Sequence, residues 1–196
     1  MEEPIRDQIT EGKDVMGEFK SYEELYSDIE YLKKQIATDA LMGISSRGEI
    51  LNLIEEISNE HLSAAMYFID VDHFKNINDT FGHDGGDEVF RMLGKRLKDH
   101  IKGKDKVGRF GGDEIIVILQ GDASDEVYFR RAEEIRFAIA NSPVEYDDKS
   151  LDVTVSIGVA KRNKFESAKV WLKRADRASY EAKRSGRNRV VVSKSV

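Results

Sequence analysis

Apolar residues run almost unbroken from Ala64 to Val71 (AAMYFIDV), with Asp70 the one charged position. A run this short, bounded by polar residues, predicts a strand buried on both faces. Elsewhere the apolar spacing is helical. Ile50, Leu51, Ile54 and Ile57 predict a helix over 47–60, and Val89, Leu93, Leu97 and Ile101 an amphipathic helix over 85–101. Lys106–Phe110 and Ile115–Leu119 flank Gly111-Gly112, which predicts a hairpin whose glycines supply positive φ. A helix over 124–140, a strand over Leu151–Lys161, a helix over 167–185 and a last strand over Arg189–Ser193 complete the pattern. The order is α+β, a ferredoxin-like β-α-β-β-α-β core with additions at both ends and an antiparallel central sheet flanked by helices.

Ahead of this core, residues 1–20 are charged and sparsely apolar and read as a flexible tail. Over 21–38, Tyr22, Leu25, Ile29, Leu32 and Ile36 alternate spacings of three and four, the seam of a coiled coil. The seam covers only about two heptads, short for an independent coiled coil. A dimerisation segment and a helix packed on its own domain are both open. Residues 39–196 form the remaining domain.

Composition narrows the function classes. The chain has 196 residues, 40% hydrophobic and 35% charged, which suits a soluble domain with a sizeable core. No apolar stretch is long enough to span a bilayer, and the acidic start Met1-Glu2-Glu3-Pro4 is unlike a signal peptide, so a cytoplasmic protein is expected. The absence of cysteine excludes disulfides, thiolate metal sites and cysteine nucleophiles. A net charge of −6 argues against a nucleic-acid surface but leaves room for a phosphate ligand at a locally basic site.

Four segments carry candidate chemistry. Asp70-Val71-Asp72-His73-Phe74-Lys75 ends a buried strand in carboxylates, the hard oxygen ligands that magnesium takes together with substrate phosphates; the plainer alternative is that they cap the next helix. Gly111-Gly112-Asp113-Glu114-Ile115 places two acids after a tight turn, where neighbours on a strand face opposite ways. One could share a metal with Asp70 while the other handles a proton; otherwise they are a surface hairpin tip. Asn78–Asp87 is polar and glycine-rich, with an amide donor and a carboxylate acceptor that match a guanine edge, or else an N-cap at Asp84 or Asp87 after a turn at Gly82. Lys183 and Arg187 flank a helix end that Gly186 would stop, suited to phosphate or simply to the helix dipole.

Together these segments match one family. Asp39-x-Leu41-x-Gly43, IDVDHFKNINDTFGHDGGDEV, GRFGGDEI, VTVSIGVA and ADRASYEAKRSGRNRV occur in order, and over residues 39–192 the chain resembles the GGDEF domains, the diguanylate cyclases of bacterial signalling. The resemblance implies a palm fold of the nucleotidyl cyclase type. It implies magnesium, or manganese in its place, on Asp70, Asp113, Glu114 and the Val71 carbonyl, with Glu114 also a candidate to activate the attacking 3′-hydroxyl. Lys75, Lys183, Arg187 and amides around Phe74 would bind the triphosphate of GTP, Asn78 and Asp87 would read guanine, and His83 would lie near the nucleotide. Two GTP would condense to cyclic di-GMP across a homodimer, since each domain offers one site.

Five departures stand out. Ile115 replaces a phenylalanine and is expected to be a core contact. Met42 and Ser46 replace threonine and asparagine near the start of the domain, and Ser179 a leucine in the last helix. The inhibitory R-x-x-D site is Lys102-Gly103-Lys104-Asp105 here, and lysine lacks the bidentate fork of arginine, so product inhibition should be weak or absent. The competing functions are a silent GGDEF domain acting as a GTP or cyclic di-GMP receptor, a cyclase of altered base choice, and a non-enzymatic scaffold.

Overall fold

The computed structural model describes the backbone of residues 12–13 and 19–194, with side chains from residue 21 onward apart from 30 and 32–36. It divides into two units, Met1–Ala37 and Thr38–Val196. In the first, β1 (Gly12–Lys13) and β2 (Phe19–Lys20) pair antiparallel, and α1 spans Tyr22–Ala37. Ser21 and Glu24 form a capping box at its start: the Glu24 amide donates to the Ser21 hydroxyl at 3.2 Å, and the Ser21 amide to the Glu24 carboxylate at 2.8 Å. Of the expected seam, Tyr22 and Ile29 are exposed and Leu25 is half-buried. The side chains of Leu32 and Ile36, and most of the expected tail, lie outside the described residues.

The second unit runs β3 (Thr38–Asp39), β4 (Ile44–Ser45), α2 (Arg47–Asn59), β5 (Ala64–Val71), α3 (Phe74–His100), β6 (Lys106–Arg109), β7 (Glu114–Gln120), α4 (Asp125–Ala140), β8 (Val144–Tyr146), β9 (Lys149–Leu151), β10 (Val155–Lys161), α5 (Ala168–Arg184) and β11 (Val190–Val192). Seven strands form one sheet in the order β11-β10-β5-β7-β6-β4-β3. Its centre, β10-β5-β7-β6, is antiparallel and has the ferredoxin-like order; the flanking β11 and β4 join it in parallel.

Strand alternation builds two cores. Ala65, Tyr67, Ile69 and Val71 of β5 face Val89, Leu93 and Leu97 of α3 and Ala132, Ile135 and Ile139 of α4. Ala64, Met66 and Phe68 face Ile50, Ile54 and Ile57 of α2 and Trp171 and Ala175 of α5. Every residue of β5 is buried, as the apolar run predicts. Parity therefore sends Asp70 to the α2/α5 face.

Several expectations change. The expected amphipathic helix starts just past Gly82, whose non-helical backbone (φ 73°, ψ 176°) joins it within α3 to a further helical stretch from Phe74 that was not expected. Asp84 and Asp87 thus lie inside α3 and cap nothing. The strand expected over Leu151–Lys161 splits: Lys149–Leu151 pairs with Val144–Tyr146 around Asp147-Asp148, both left-handed (φ 52° and 56°), and the sheet strand starts at Val155. Adjacent left-handed residues give the turn whose twist suits a hairpin. The Gly111-Gly112 hairpin forms, but neither glycine lies in the left-handed region. Among the described residues, no helix is long and apolar enough to cross a membrane.

Candidate active site

The acids meet where β5 and β7 end side by side. Asp70 and Glu114 are register partners, and the Val71 amide donates to the Asp113 carbonyl at 3.3 Å, tying the acidic turn to the end of β5. Asp70 is 4% exposed. One of its oxygens, Oδ2, is paired with the Lys183 ammonium from α5, which offsets the cost of burying the charge. The other, Oδ1, is buried without a partner. Burial outweighs the lysine and pushes the Asp70 carboxyl up to about 6, with Asp113 and Glu114 adding to the rise. Glu114 is also raised, first by burial and then by Asp113 and Asp176, against the pull of Lys183 and Arg47.

Gly111 has its own reason to be glycine. A Cβ there would come within 2.5 Å of the Glu114 carboxylate, so the missing side chain leaves room for the acid rather than for an unusual φ. The Gly111 and Phe110 amides both donate to the Glu114 carbonyl, closing the turn at 3.2 and 2.9 Å.

A cleft of about 410 Å³ lies beside the acids. It brings together six of the predicted residues, Phe74, Lys75, Asn78, His83, Asp87 and Asp113. The kinked helix explains how: Asn78 lies before the Gly82 kink and Asp87 after it, so both point into one space. At Gly86 a Cβ would press on the Asn78 side-chain oxygen, so a side chain there would push Asn78 from its place in the cleft. At the start of α3, His73 is left-handed and no side chain caps the helix, which leaves its first amides, at Phe74 and Lys75, suited to an anion.

The other predicted residues lie outside this cleft. Asp70, Glu114 and Lys183 cluster beside it, Asp70 buried and the other two half-buried, and Val71 is buried at the strand end beneath them. Arg187 is exposed just past α5, where Gly186 (φ 118°) ends the helix and the Arg187 amide returns to the Ala182 carbonyl at 3.1 Å. Lys102 and Asp105 are separate from both. Asp105 is 8% exposed, and its carboxylate accepts from the Gln120 amide at 3.1 Å, the Lys102 amide at 3.4 Å and the Arg131 guanidinium of α4 at 2.9 Å.

Sequence reasoning missed Arg109, which lines the cleft and braces the turn. Its guanidinium donates to the Gly112 carbonyl at 2.8 Å, pairs with Asp39 at 3.3 Å and lies 4.1 Å from the centre of the Phe90 ring. Asp39 in turn accepts the Leu41 and Met42 amides. Both residues stand inside the quoted motifs, and a lone arginine at a strand end was the available signal. Ile115 is fully buried in the α3/α4 core, the contact expected of it, and Ser179 is buried against β10.

The site can hold a metal on limited terms. Among the described residues, no three carboxylates or imidazoles converge tightly enough to cage an ion. The unpartnered Asp70 Oδ1 fits a divalent cation that takes one or two carboxylates from the protein and completes its shell with phosphates and water.

The diguanylate cyclase GGDEF domain matches residues 36–189. Diguanylate cyclase A of Treponema denticola is 42% identical over 147 residues, covering 74% of this chain and 39% of that protein. The response regulator PleD of Caulobacter vibrioides is 38% identical over 174 residues, covering 85% of this chain and 38% of that protein. The chain thus spans about two fifths of the length of these relatives. Among solved structures, the coiled coil and GGDEF domain of DgcB from Caulobacter crescentus, in complex with c-di-GMP, superposes with a TM-score of 0.79 at 30% identity, covering 87% of this chain and 92% of that one. The palm fold, the order of the motifs and these likenesses agree: this chain belongs to the GGDEF domain family of diguanylate cyclases.

Proposed function

We propose that the chain condenses two GTP into cyclic di-GMP, releasing two pyrophosphates, with two copies facing each other and magnesium as the ion. The observation that carries this is the buried Asp70 carboxylate, one oxygen unpartnered, set against Glu114 and beside the Asn78–Asp87 cleft. Asp70 and Asp113 would hold the ion, with Glu114 and the Val71 carbonyl as further ligands. The bound ion would supply charge neutralisation at the attacking and leaving oxygens.

The protein's own groups do the rest. Asn78 and Asp87 orient guanine in the cleft. The helix amides at Phe74 and Lys75, the Lys75 and Lys183 ammoniums and the Arg187 guanidinium gather the phosphates, which is most of what phosphoryl transfer asks of a protein. Glu114, its carboxyl raised by burial and two neighbouring acids, is a base poised nearer neutral pH than an exposed carboxylate. His83 sits on the cleft rim. α1 is the segment that would bring two copies together.

Purified chain incubated with magnesium and GTP should yield cyclic di-GMP, and with ATP no cyclic product. Nucleotide binding without turnover in a dimeric sample would replace the cyclase with a receptor. Asp87→Ala should erase the preference for GTP over ATP; an unchanged preference would remove Asp87 from guanine reading.

A further inference from the structure

Asp72 is the second acid of the strand end and has no part in the site described above. It is 4% exposed, yet among the described residues it meets hydrogen-bond donors and no cation. Ser156 donates its hydroxyl to Oδ1 at 2.7 Å. Thr154 donates its hydroxyl to Oδ2 at 2.7 Å, and the backbone amide of Asn188 donates to the same oxygen at 2.9 Å. A buried carboxylate without a cation is costly, and three donors on an acceptor-only group are what hold it there.

The Asn188 amide belongs to an unusual piece of backbone. Arg187 and Asn188 are consecutive left-handed residues, at φ 60° and 43°. Residues other than glycine keep such a conformation where their surroundings fix it. Here the fixing is visible on each side. The Arg187 amide is held by the Ala182 carbonyl at 3.1 Å, and the Arg189 carbonyl accepts from Ile157 of β10 at 2.9 Å. The Asn188 side-chain oxygen accepts from Arg136 of α4 at 2.7 Å, and Arg136 is itself held by Glu133 at 2.8 and 3.0 Å. The Arg187 side chain is left exposed.

We infer that Asp72 is a positioning residue for Arg187: through the Asn188 amide, with Arg136 holding Asn188 from the other side, it fixes the root from which the Arg187 guanidinium reaches the nucleotide phosphates. The inference rests on the proposed role of Arg187 as a phosphate contact. Its chemistry is specific to the phosphate end of the ligand. A loosened root costs binding to a triphosphate and leaves the guanine contacts at Asn78 and Asp87 intact. A merely structural staple would weaken every ligand alike, along with stability.

Titration calorimetry on the full chain distinguishes the two. The probes are a GTP analogue with a methylene between the α- and β-phosphates, which cannot be cyclised, and GMP. Asp72→Asn should weaken analogue binding about tenfold, roughly 1.4 kcal/mol, and leave GMP binding unchanged. Arg187→Ala should do the same, and the double variant no more than Arg187→Ala alone, because both act through one contact. Arg136→Met releases Asn188 without touching the buried carboxylate, and it carries the test if Asp72→Asn does not fold; it should weaken the analogue by about threefold and spare GMP. Equal losses for analogue and GMP, or additive losses in the double variant, would overturn the inference. An Arg187→Ala chain that binds the analogue normally would instead overturn the phosphate role of Arg187, and the inference with it.

Discussion

Asp70 is where burial and chemistry meet most closely. Its carboxyl is raised from 3.8 to about 6, chiefly by burial. Between those values the folded chain holds a proton that the unfolded chain releases, so this group's contribution to stability falls as pH rises through that window and is level above it. Asp70→Asn removes the charge and hence the slope. Urea denaturation should show the variant gaining stability relative to the parent from pH 4 to about pH 6.5, while turnover is lost. A stability difference that does not change over that range would contradict the raised carboxyl. Ile115 makes the opposite kind of residue, all packing and no chemistry. Ile115→Ala should cost about 2–4 kcal/mol in denaturant while GTP-analogue affinity in the folded state stays the same. Asp70, Lys75, Asn78, Asp87 and Asp113 were legible because motif wording names them. Asp72 was not, because its three partners lie 82, 84 and 116 positions away and no local pattern announces them.

Among the elements, α3 departs furthest from its pattern. Its first two turns, Phe74–Phe81, set Phe74, Ile77 and Phe81 on the core at helical spacing, with Lys75 and Asn78 lining the cleft beside them. Three apolar positions over eight residues, cut off by a glycine and followed by polar residues up to Val89, are too short a pattern to be read as a helix. The kink at Gly82 sits at φ 73°, and nothing lies within 4 Å of a Cβ placed there. Gly82→Ala should therefore cost about 1–3 kcal/mol through backbone strain alone, because φ 73° with ψ 176° is a region that glycine alone adopts readily. A larger loss would mean that the kink bears packing as well. The β8–β9 hairpin was hidden by its size, three residues a side, and by an Asp-Asp turn in place of the glycine that usually marks one. β3 and β4, two residues each, are too short for any periodicity.

On the scale of the whole molecule, the sheet explains why the acids belong together. β5 lies between β10 and β7, so its last residues meet the acidic turn on one side and the Thr154–Ser156 segment on the other. The fold class was readable from the order of apolar runs, and the antiparallel centre follows it. The parallel outer pairs were not, because pairing across the sheet edges leaves no mark in local sequence. At the expected inhibitory site, the Asp105 carboxylate is buried and committed to the Gln120 and Lys102 amides and the Arg131 guanidinium. Micromolar cyclic di-GMP should not slow initial turnover, and Lys102→Arg alone should not restore inhibition, because Arg131 still holds the acid; inhibition in either protein would show that the pair opens. The most direct measurement is the product of GTP and magnesium on the purified chain at concentrations where sedimentation shows a dimer. Cyclic di-GMP from the parent, and none from Asp70→Asn or Asp113→Ala, is the predicted result. No cyclic di-GMP from the dimeric parent, or undiminished turnover in Asp70→Asn and Asp113→Ala, would contradict it.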